Sequence, residues 1–323
     1  MSRNKTHYLV TGAAGFIGFH TAEALLKGGE AVIGLDDLNE YYDVSLKQAR
    51  LKLLKKYPNF KFYKADLCDL PKLKKIFADN KIVKVCHLAA QAGVRYSLEN
   101  PFAYQKANLE GFLNLIEVAK DHKVANFVYA SSSSVYGGNT KVPFAVEDNV
   151  NKPVSLYAAT KRADELIAYT YHHLYKLPVT ALRFFTVYGP YGRPDMALFK
   201  FTRAILANKP IEVYNFGRMQ RDFTYVDDIV KGILSSLAKP YPYEIFNLGN
   251  SRTVELSYFI ECLEKSLGRK AKKKYLKLQP GDVVKTFADI KHSKAKLGFK
   301  PQVKIEEGID RFVDWYKEYY QIK

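Results

Sequence analysis

The stretch that decides the fold is Thr11-Gly12-Ala13-Ala14-Gly15-Phe16-Ile17-Gly18, which follows the apolar run Tyr8-Leu9-Val10. A turn of this kind between a strand and a helix directs backbone N–H groups at an anion. Its glycines allow a tight turn and let a pyrophosphate approach the backbone closely. A glycine pattern alone is weak evidence and also fits a purely structural turn. Its position after a strand favours a dinucleotide loop, with candidate contacts at Gly12, Gly15, Phe16, Ile17 and Gly18.

Outward from this loop, apolar runs alternate with segments of helical periodicity. The runs are Ala31–Leu35, Phe60–Tyr63, Val83–Leu88, Phe127–Tyr129 and Val179–Phe185, and the helical segments include 21–27, 108–120 and 157–175. Repeating strand–helix units predict an α/β fold with a Rossmann-type, doubly wound parallel sheet. After Thr186 the pattern is broken by Pro190, Pro194 and Pro210, which predicts a smaller, loop-rich C-terminal lobe. A late strand at Ile245–Leu248 is expected to return to the sheet.

Acidic residues end two of the predicted strands. Asp36 lies 18 residues past Gly18 at the end of the second strand. A carboxylate there accepts hydrogen bonds from the ribose hydroxyls of NAD and repels the additional phosphate of NADP. Asp66 follows the third strand and is a candidate acceptor for an adenine amine, although an ordinary surface aspartate fits as well.

Length and composition exclude several classes of protein. The 323 residues are 47% apolar and 26% charged, which excludes disorder over the whole chain. A run of about 18 apolar residues, as a membrane span requires, is absent from the sequence. The glycine loop is not preceded by an apolar stretch of signal-peptide length. Three cysteines, at positions 68, 86 and 262, predict neither a disulfide framework nor a zinc site, and a reducing cytoplasm is expected.

The net charge of +17 is concentrated near the C-terminus. Thirteen Lys or Arg and two acids lie between Lys265 and Lys304, which gives this stretch +11 of the total. A solvated lysine-rich surface is the ordinary explanation, and attraction of an anionic substrate is an alternative. Because no nucleic-acid-binding motif accompanies the charge, we expect no specific nucleic-acid partner.

A candidate proton-transfer device follows the fifth strand. Tyr157 and Lys161 are four residues apart, so they share one face of a helix. A phenol titrates at about pH 10 in water. A tyrosine therefore acts as a base at neutral pH only where nearby positive charge favours its phenolate. Upstream, Ser131-Ser132-Ser133-Ser134 places hydroxyls just after a strand, at the sheet edge where ligands bind. The spacing of Tyr and Lys is common, and the hydroxyls supply the context that favours catalysis.

At this point the chain resembles an extended short-chain dehydrogenase/reductase nearly from end to end. The motifs that carry the resemblance are TGAAGFIG, HLAA, SSSSVYG, YAATK, RDFTYVDD and PGD, in the family's order. The resemblance implies an NAD-binding Rossmann domain over 1–186, with 225–250 returning to it. It implies a nucleotide-sugar-binding lobe formed by 187–224 and 251–323, and a homodimer through helices around 100–120 and 157–175.

The resemblance also implies roles for individual residues. The catalytic residues would be Ser132, Tyr157 and Lys161, with Ser133 as a possible neighbour in the role of Ser132. Besides Tyr157, Lys161, Asp36 and the glycine loop, the cofactor contacts would be Asn39, Asp66, Leu67, Ala89, Ala90, Gln91 and Asn108. The substrate contacts would be Ser132, Ser133, Ser134, Thr186, Val213, Tyr214, Arg221, Gln279 and Asp282.

Three segments resemble UDP-glucuronate 4-epimerases more specifically: 39–43, 91–97 and 188–196. A uronic acid carries a carboxylate that needs a charge-assisted partner, and Arg193 and Arg95 are the candidates. A structural salt bridge or a phosphate contact is the alternative for each arginine. Because dehydratases of the family carry an Asp-Glu pair where this chain has Ser133-Ser134, dehydration is not expected.

The implied reaction is NAD-dependent 4-epimerisation of UDP-glucuronate to UDP-galacturonate through a transient 4-keto intermediate, with Tyr157 as acid and base. The enzyme alternatives are UDP-glucose or UDP-N-acetylglucosamine 4-epimerase and UDP-glucuronate decarboxylase. A dinucleotide-binding regulatory protein is the alternative outside enzymes, and the intact Ser132, Tyr157 and Lys161 oppose it. The resemblance suggests supply of a surface polysaccharide, and neither a metal nor a membrane is expected to take part.

Overall fold

A computed structural model describes residues 6–278 and 284–322. Its strands are β1 (His7–Thr11), β2 (Val32–Asp36), β3 (Phe60–Lys64), β4 (Ile82–His87), β5 (Asn126–Ser132), β6 (Val179–Phe184), β7 (Thr186–Tyr188), β8 (Ile211–Tyr214), β9 (Gln220–Arg221), β10 (Phe223–Tyr225), β11 (Tyr243–Leu248), β12 (Val254–Glu255) and β13 (Lys273–Leu276). Seven of them form one parallel sheet in the order β3-β2-β1-β4-β5-β6-β11. The expected strands of the first half and the returning strand at 245–248 are therefore confirmed.

The helices cover both faces of this sheet. They are α1 (Phe16–Lys27), α2 (Val44–Leu54), α3 (Leu70–Asp79), α4 (Tyr96–Glu99), α5 (Pro101–Tyr104), α6 (Gly111–Asp121), α7 (Leu156–Tyr175), α8 (Ala197–Leu206), α9 (Val226–Ala238), α10 (Leu256–Leu267), α11 (Lys291–Leu297) and α12 (Ile305–Tyr319). A π-helical segment, Gln105–Glu110, joins α5 to α6. Side-chain oxygens of Asp43, Asp69 and Ser155 accept from backbone N–H groups at the starts of α2, α3 and α7, which satisfies donors that a helix start leaves without partners.

Successive side chains of the central strands point to opposite faces of the sheet and pack in two separate hydrophobic cores. Leu9 and Phe127 pack with α3, α6 and α7 on one face. Val10 and Val128 pack with α1 and α9 on the other face. This alternation follows from the two-residue period of a strand. Because both faces are covered, β2 is buried at every position, as expected for a parallel strand.

The C-terminal part contains more regular structure than the expected loop-rich lobe. Helices α8, α10 and α12 pack together there and continue the core of the α1 face. The strands outside the main sheet pair in twos and are two to four residues long. Such short strands carry too few residues to show a period in the sequence, which explains why the expectation missed them.

The basic stretch is spread over several elements. Lys265 lies on α10, Lys273 on β13, and Lys291 and Lys296 on α11. Lys273 pairs with Glu264, and Lys296 pairs with Glu244. Part of the excess charge is thus matched by acidic side chains of the same fold. Among the residues that the structure describes, none of the helices is both long and apolar enough to cross a membrane.

Candidate active site

The order of the sheet places a crevice at its carboxyl edge. The chain leaves β1 toward β2 on one side, and β4 lies on the other side, so the order reverses at β1. Ligands of open α/β sheets bind at such a point. A cavity of about 1120 Å³ opens there, between the carboxyl ends of the strands and the C-terminal part.

The glycine loop lines this cavity as predicted from the sequence. Gly12 has φ +68°, and a Cβ at that position would lie 2.8 Å from the backbone nitrogen of Ala89. A Cβ on Gly18 would lie 2.0 Å from the carbonyl oxygen of Gly12. The start of α1 therefore packs on the loop at a distance that only glycine permits. The first N–H groups of a helix lack acceptors within the helix, so this end of α1 suits an anion.

Asp36 reaches the cavity from the end of β2. Its carboxylate accepts from the backbone N–H of Ala14 at 3.0 Å and of Leu38 at 2.9 Å. Burial raises its pKa, against the lowering effects of the Leu38 hydrogen bond and the Lys47 charge. Asn39 also lines the cavity, and its backbone oxygen accepts from Lys47 Nζ at 2.6 Å.

Asp66 and Leu67 line the cavity beside β3. Asp66 accepts from the Cys68 N–H at 2.9 Å and pairs with Lys106 at 3.0 Å. Burial raises the pKa of Asp66, but the hydrogen bonds from Cys68 and Lys106 outweigh it, and its pKa lies below the ordinary value. The carboxylate is thus ionised at neutral pH and held at the cavity wall. Its contact with an adenine amine stays a prediction.

The loop after β4 forms the next part of the wall. Ala89, Ala90 and Gln91 line the cavity. Asn108, predicted to contact a cofactor, is buried behind them and is not part of the lining. Its side chain accepts from the Gln91 N–H at 2.8 Å and donates to Thr160 Oγ1 at 3.0 Å. Asn108 thus ties this loop to α7, and its direct contact with a cofactor stays a prediction.

The three candidate catalytic residues lie on the same cavity. Ser132 ends β5, and its Oγ accepts from the Ser134 hydroxyl at 2.8 Å. Tyr157 lies in the first turn of α7, two residues after the capping residue Ser155. Lys161 follows one turn later and is almost fully buried. The structure brings together residues separated by up to 29 positions in the chain.

Most of the predicted substrate contacts line the same cavity. The lining includes Ser133, Ser134, Thr186, Tyr214, Arg221, Arg95 and Arg193. Val213 is buried in the hydrophobic core and is not part of the lining. Gln279 and Asp282 lie outside the described residues. Two basic residues of α8 that the sequence reasoning missed, Lys200 and Arg203, also line the cavity.

Arg193 already holds a carboxylate of its own chain. Its Nε donates to Asp195 Oδ1 at 3.0 Å, and its Nη2 donates to Asp195 Oδ2. Tyr41 donates to the same carboxylate at 3.2 Å. Burial raises the pKa of Asp195, but the Arg193 charge outweighs it and keeps the pKa below its ordinary value. The structure thus shows the salt-bridge alternative for Arg193, and the guanidinium of Arg95 lies 5.0 Å from the centre of the Tyr214 ring.

Sequence reasoning missed the partners that hold the functional side chains. Asp164 pairs with Lys161 at 3.0 Å, and Asp195 pairs with Arg193. Arg50, fully buried on α2, donates to the carbonyl oxygens of Ala14 and Tyr191, each at 2.7 Å. The i,i+3 spacing of Lys161 and Asp164 was a readable signal. The contacts of Arg50 span 141 positions to Tyr191, and no local pattern indicates them.

The chain matches a known protein family over most of its length. The family model described as GDP-mannose 4,6 dehydratase matches residues 9–312. The chain belongs to this family, a branch of the extended short-chain dehydrogenases/reductases. Membership confirms the resemblance drawn from the motifs.

Individual relatives are similar over nearly their whole length. A UDP-glucuronate 4-epimerase of Thermodesulfobacterium geofontis is 51% identical over 313 residues, which cover 97% of this chain and 96% of that protein. The crystal structure of a Bacillus cereus UDP-glucuronic acid 4-epimerase, in complex with UDP-glucuronic acid and NAD, is 36% identical with a TM-score of 0.91, covering 97% of this chain and all of that chain. A Thermotoga maritima UDP-glucose 4-epimerase with UDP-glucose is 31% identical with a TM-score of 0.89, covering 97% and 99%.

Proposed function

We propose that this protein is an NAD-dependent UDP-sugar 4-epimerase that interconverts UDP-glucuronate and UDP-galacturonate. The observation that carries the proposal is one cavity that joins the glycine loop to Ser132, Tyr157 and Lys161. The similarity to UDP-glucuronate 4-epimerases over almost the full chain supports this substrate over a neutral sugar.

The residues present fit NAD. A Cβ at Gly12 or Gly18 would collide with the protein's own backbone, so these glycines permit the tight loop that lines the cavity and that a pyrophosphate can approach closely. Asp36 presents a carboxylate at the place that suits a ribose diol. When bound, NAD supplies a reversible hydride acceptor. The residues that would hold it are the glycine loop, Asp36 and Lys161.

The chain's own residues carry the proton. The phenolate oxygen of Tyr157 takes the proton of the sugar 4-hydroxyl, and the Ser132 hydroxyl holds the reacting oxygen in place. The keto sugar then turns about its diphosphate and presents its opposite face. Tyr157 returns the same proton, so the reaction needs no net exchange with solvent. Lys161 lies one helical turn from Tyr157 on the same face of α7 and brings its ammonium to the same cavity.

A 4-keto uronate is a β-keto acid and loses CO₂ readily, so an epimerase must hold the carboxylate against cleavage. Ser133, Ser134 and Thr186 bring neutral donors to the cavity beside Ser132. Because Arg193 is engaged with Asp195, we assign the carboxylate first to these hydroxyls. Contact between Arg193 and the carboxylate then requires rearrangement of that ion pair.

We also propose a homodimer in the cytoplasm. On α7, Leu166, Tyr169 and Leu174 are exposed by 54%, 51% and 59%, and Phe102 of α5 is exposed by 78%. Exposed apolar side chains on neighbouring helices are typical of an interaction surface. Ile167 and Tyr171 of the same helix pack partly against the chain's own core.

Proton NMR of the purified protein with UDP-glucuronate, and without added cofactor, tests the proposal. We expect a new UDP-galacturonate anomeric signal that settles to an equilibrium mixture, which also indicates retained NAD. UDP-xylose or a 4-keto pentose would assign the protein to the decarboxylases. Conversion of UDP-glucose or UDP-N-acetylglucosamine alone would refute the uronate assignment. Tyr157→Phe is the control, because it removes the proton acceptor and should abolish turnover.

A further inference from the structure

The proton-transfer helix carries a buried charge that the mechanism does not use. Asp164 Oδ2 lies 3.0 Å from Lys161 Nζ, and the two side chains are 0% and 1% exposed. Lys161 lines the cavity, whereas Asp164 is not part of the lining. The other oxygen of Asp164, Oδ1, has no hydrogen-bond partner among the residues that the structure describes. Tyr157, Lys161 and Asp164 follow one another at four and three residues, so they share one face of α7.

Burial of the Asp164 carboxylate with a single partner disfavours the folded state. A buried carboxylate normally accepts several hydrogen bonds, because burial without partners disfavours its charged form. Burial accordingly raises the pKa of Asp164, against the charge and hydrogen bond of Lys161. The ammonium is the one cation recorded against this carboxylate in the described part of the chain. The positive charge of Lys161 at the cavity is therefore largely balanced by the Asp164 carboxylate, which lies outside the cavity wall.

We propose that Asp164 is a positioning residue that sets, through Lys161, how strongly positive charge favours the phenolate of Tyr157. This inference rests on the proposed function, in which Tyr157 accepts the proton of the sugar hydroxyl. With Asp164 ionised, Tyr157 faces a balanced pair. Without that negative charge, Tyr157 faces a full ammonium, and its phenolate forms at lower pH.

Near Tyr157, the charge of Arg193 also acts on the phenol, and Arg193 is itself paired with Asp195. The Tyr104 ring lies 6.0 Å from the Tyr157 ring. Around the Lys161–Asp164 pair, the remaining groups are engaged elsewhere or neutral. On α7 itself, Glu165 is engaged by Arg183 at 2.8 and 2.9 Å. From β5, the Tyr129 phenol is fully buried, and burial, followed by the charges of Glu165, Tyr243 and Asp164, raises its pKa. From β4, burial and the Lys161 charge lower the pKa of His87 to about 3, so His87 is neutral at physiological pH.

On the remaining side, the charged residues of the π-helical segment and α6 lie toward solvent. They are Lys106, Glu110, Glu117, Lys120 and Asp121, which are exposed or half-buried. Lys106 pairs with Asp66, and Lys120 pairs with Glu117. Within the described residues, Asp164 is thus the acid that bears directly on Lys161.

The size of the effect follows from the helix. Tyr157 and Asp164 are seven residues apart, which is about 10.5 Å along the axis at 1.5 Å per residue. Removal of one charge at about 10 Å, with an effective dielectric constant of about 20–40, shifts a titration midpoint by about half to one pH unit. Asp164→Asn should therefore move the acid limb of the kcat profile to lower pH by this amount. A purely structural role would lower activity without moving the limb.

The experiment uses the full-length protein with its retained cofactor. Asp164→Asn keeps the shape and an oxygen that accepts from Lys161. Asp121→Asn is the matched control, because it removes the same charge at an exposed site on α6. Each variant is measured by the pH profile of kcat and by phenolate ultraviolet difference absorbance against its Tyr157→Phe counterpart. Thermal unfolding and circular dichroism establish folding, and Asp164→Ser replaces the asparagine variant if that variant does not fold.

The expected result is a shift of both the kcat limb and the absorbance midpoint to lower pH in Asp164→Asn, with no shift in Asp121→Asn. A folded Asp164 variant with an unmoved midpoint, or one moved to higher pH, would overturn the inference. The absorbance titration needs no sugar substrate. If UDP-glucuronate is not converted at all, the proposed function fails while the role of Asp164 is still decided.

Discussion

Substitution of Arg183 on β6 should lower the free energy of unfolding more than substitution of Arg162, which donates to the same Glu165 carboxylate. The Arg183 guanidinium donates to both oxygens of Glu165 at 2.8 and 2.9 Å, and both side chains are almost fully buried. It also donates to the Tyr136 hydroxyl at 3.0 Å. Arg183→Met keeps much of the volume. It leaves the Glu165 carboxylate buried with the Ser131 hydroxyl and Arg162 as its hydrogen-bond partners.

The magnitude follows from the burial of the pair. Removing one partner of a buried ion pair costs about 3–5 kcal/mol. Because Arg162 and Ser131 still contact Glu165 in this variant, we expect a loss at the lower end of this range. That is a large part of a total free energy of unfolding of about 5–15 kcal/mol. Arg162→Met is the matched control, since Arg162 donates to the same carboxylate at 2.9 Å but is partly exposed. In Arg162→Met the carboxylate of Glu165 keeps both hydrogen bonds from Arg183, so the loss should be smaller, and the two variants should differ by about 2 kcal/mol.

Acid should erase this difference. Burial raises the pKa of Glu165, but the hydrogen bonds and charge of Arg183 outweigh it, and the pKa lies below its ordinary value. A carboxyl with a lowered pKa in the folded state contributes stability above its unfolded pKa, and this stability is lost as pH falls through the folded pKa. The gap between wild type and Arg183→Met is therefore full at neutral pH and closes below about pH 4.

Urea unfolding at several pH values, followed by Trp315 fluorescence and circular dichroism, measures these free energies. Equal losses in Arg183→Met and Arg162→Met at neutral pH would refute the buried-pair reasoning. A gap that widens on acidification would refute the direction assigned to the Glu165 pKa.

Two further predictions concern the cofactor and the assembly. Gly18→Ala would place a Cβ 2.0 Å from the Gly12 oxygen, whereas Gly28→Ala at the end of the same helix meets nothing closer than 3.4 Å. The first variant should lose most of its retained NAD, measured as NAD released per chain on denaturation, and the second should keep it. Light scattering should give twice the chain mass of 36.9 kDa, and Leu166→Glu should halve it. A wild-type monomer would contradict the proposed dimer.

Much of the site was readable because its signals are local. The glycine loop, Asp36 and the Tyr157/Lys161 pair each lie within a few residues of a strand end or on one helix face. Backbone geometry then fixes their positions, since parallel strands end at one edge and a helix repeats every 3.6 residues. The fold class and the family followed from these features, and the match over residues 9–312 confirms the family.

Tertiary structure alone decided how the charges are paired. For Arg193 the sequence left a substrate carboxylate and a structural salt bridge as alternatives, and the fold pairs it with Asp195. Asn108 is a predicted cofactor contact, and its side chain joins Gln91 to α7 in the fold. Arg50 joins the glycine loop to Tyr191, 141 positions away. The sequence shows which charged residues are present. Which of them pair depends on the loops that meet in the fold and on how strongly burial enhances each contact. Both are determined only by tertiary packing.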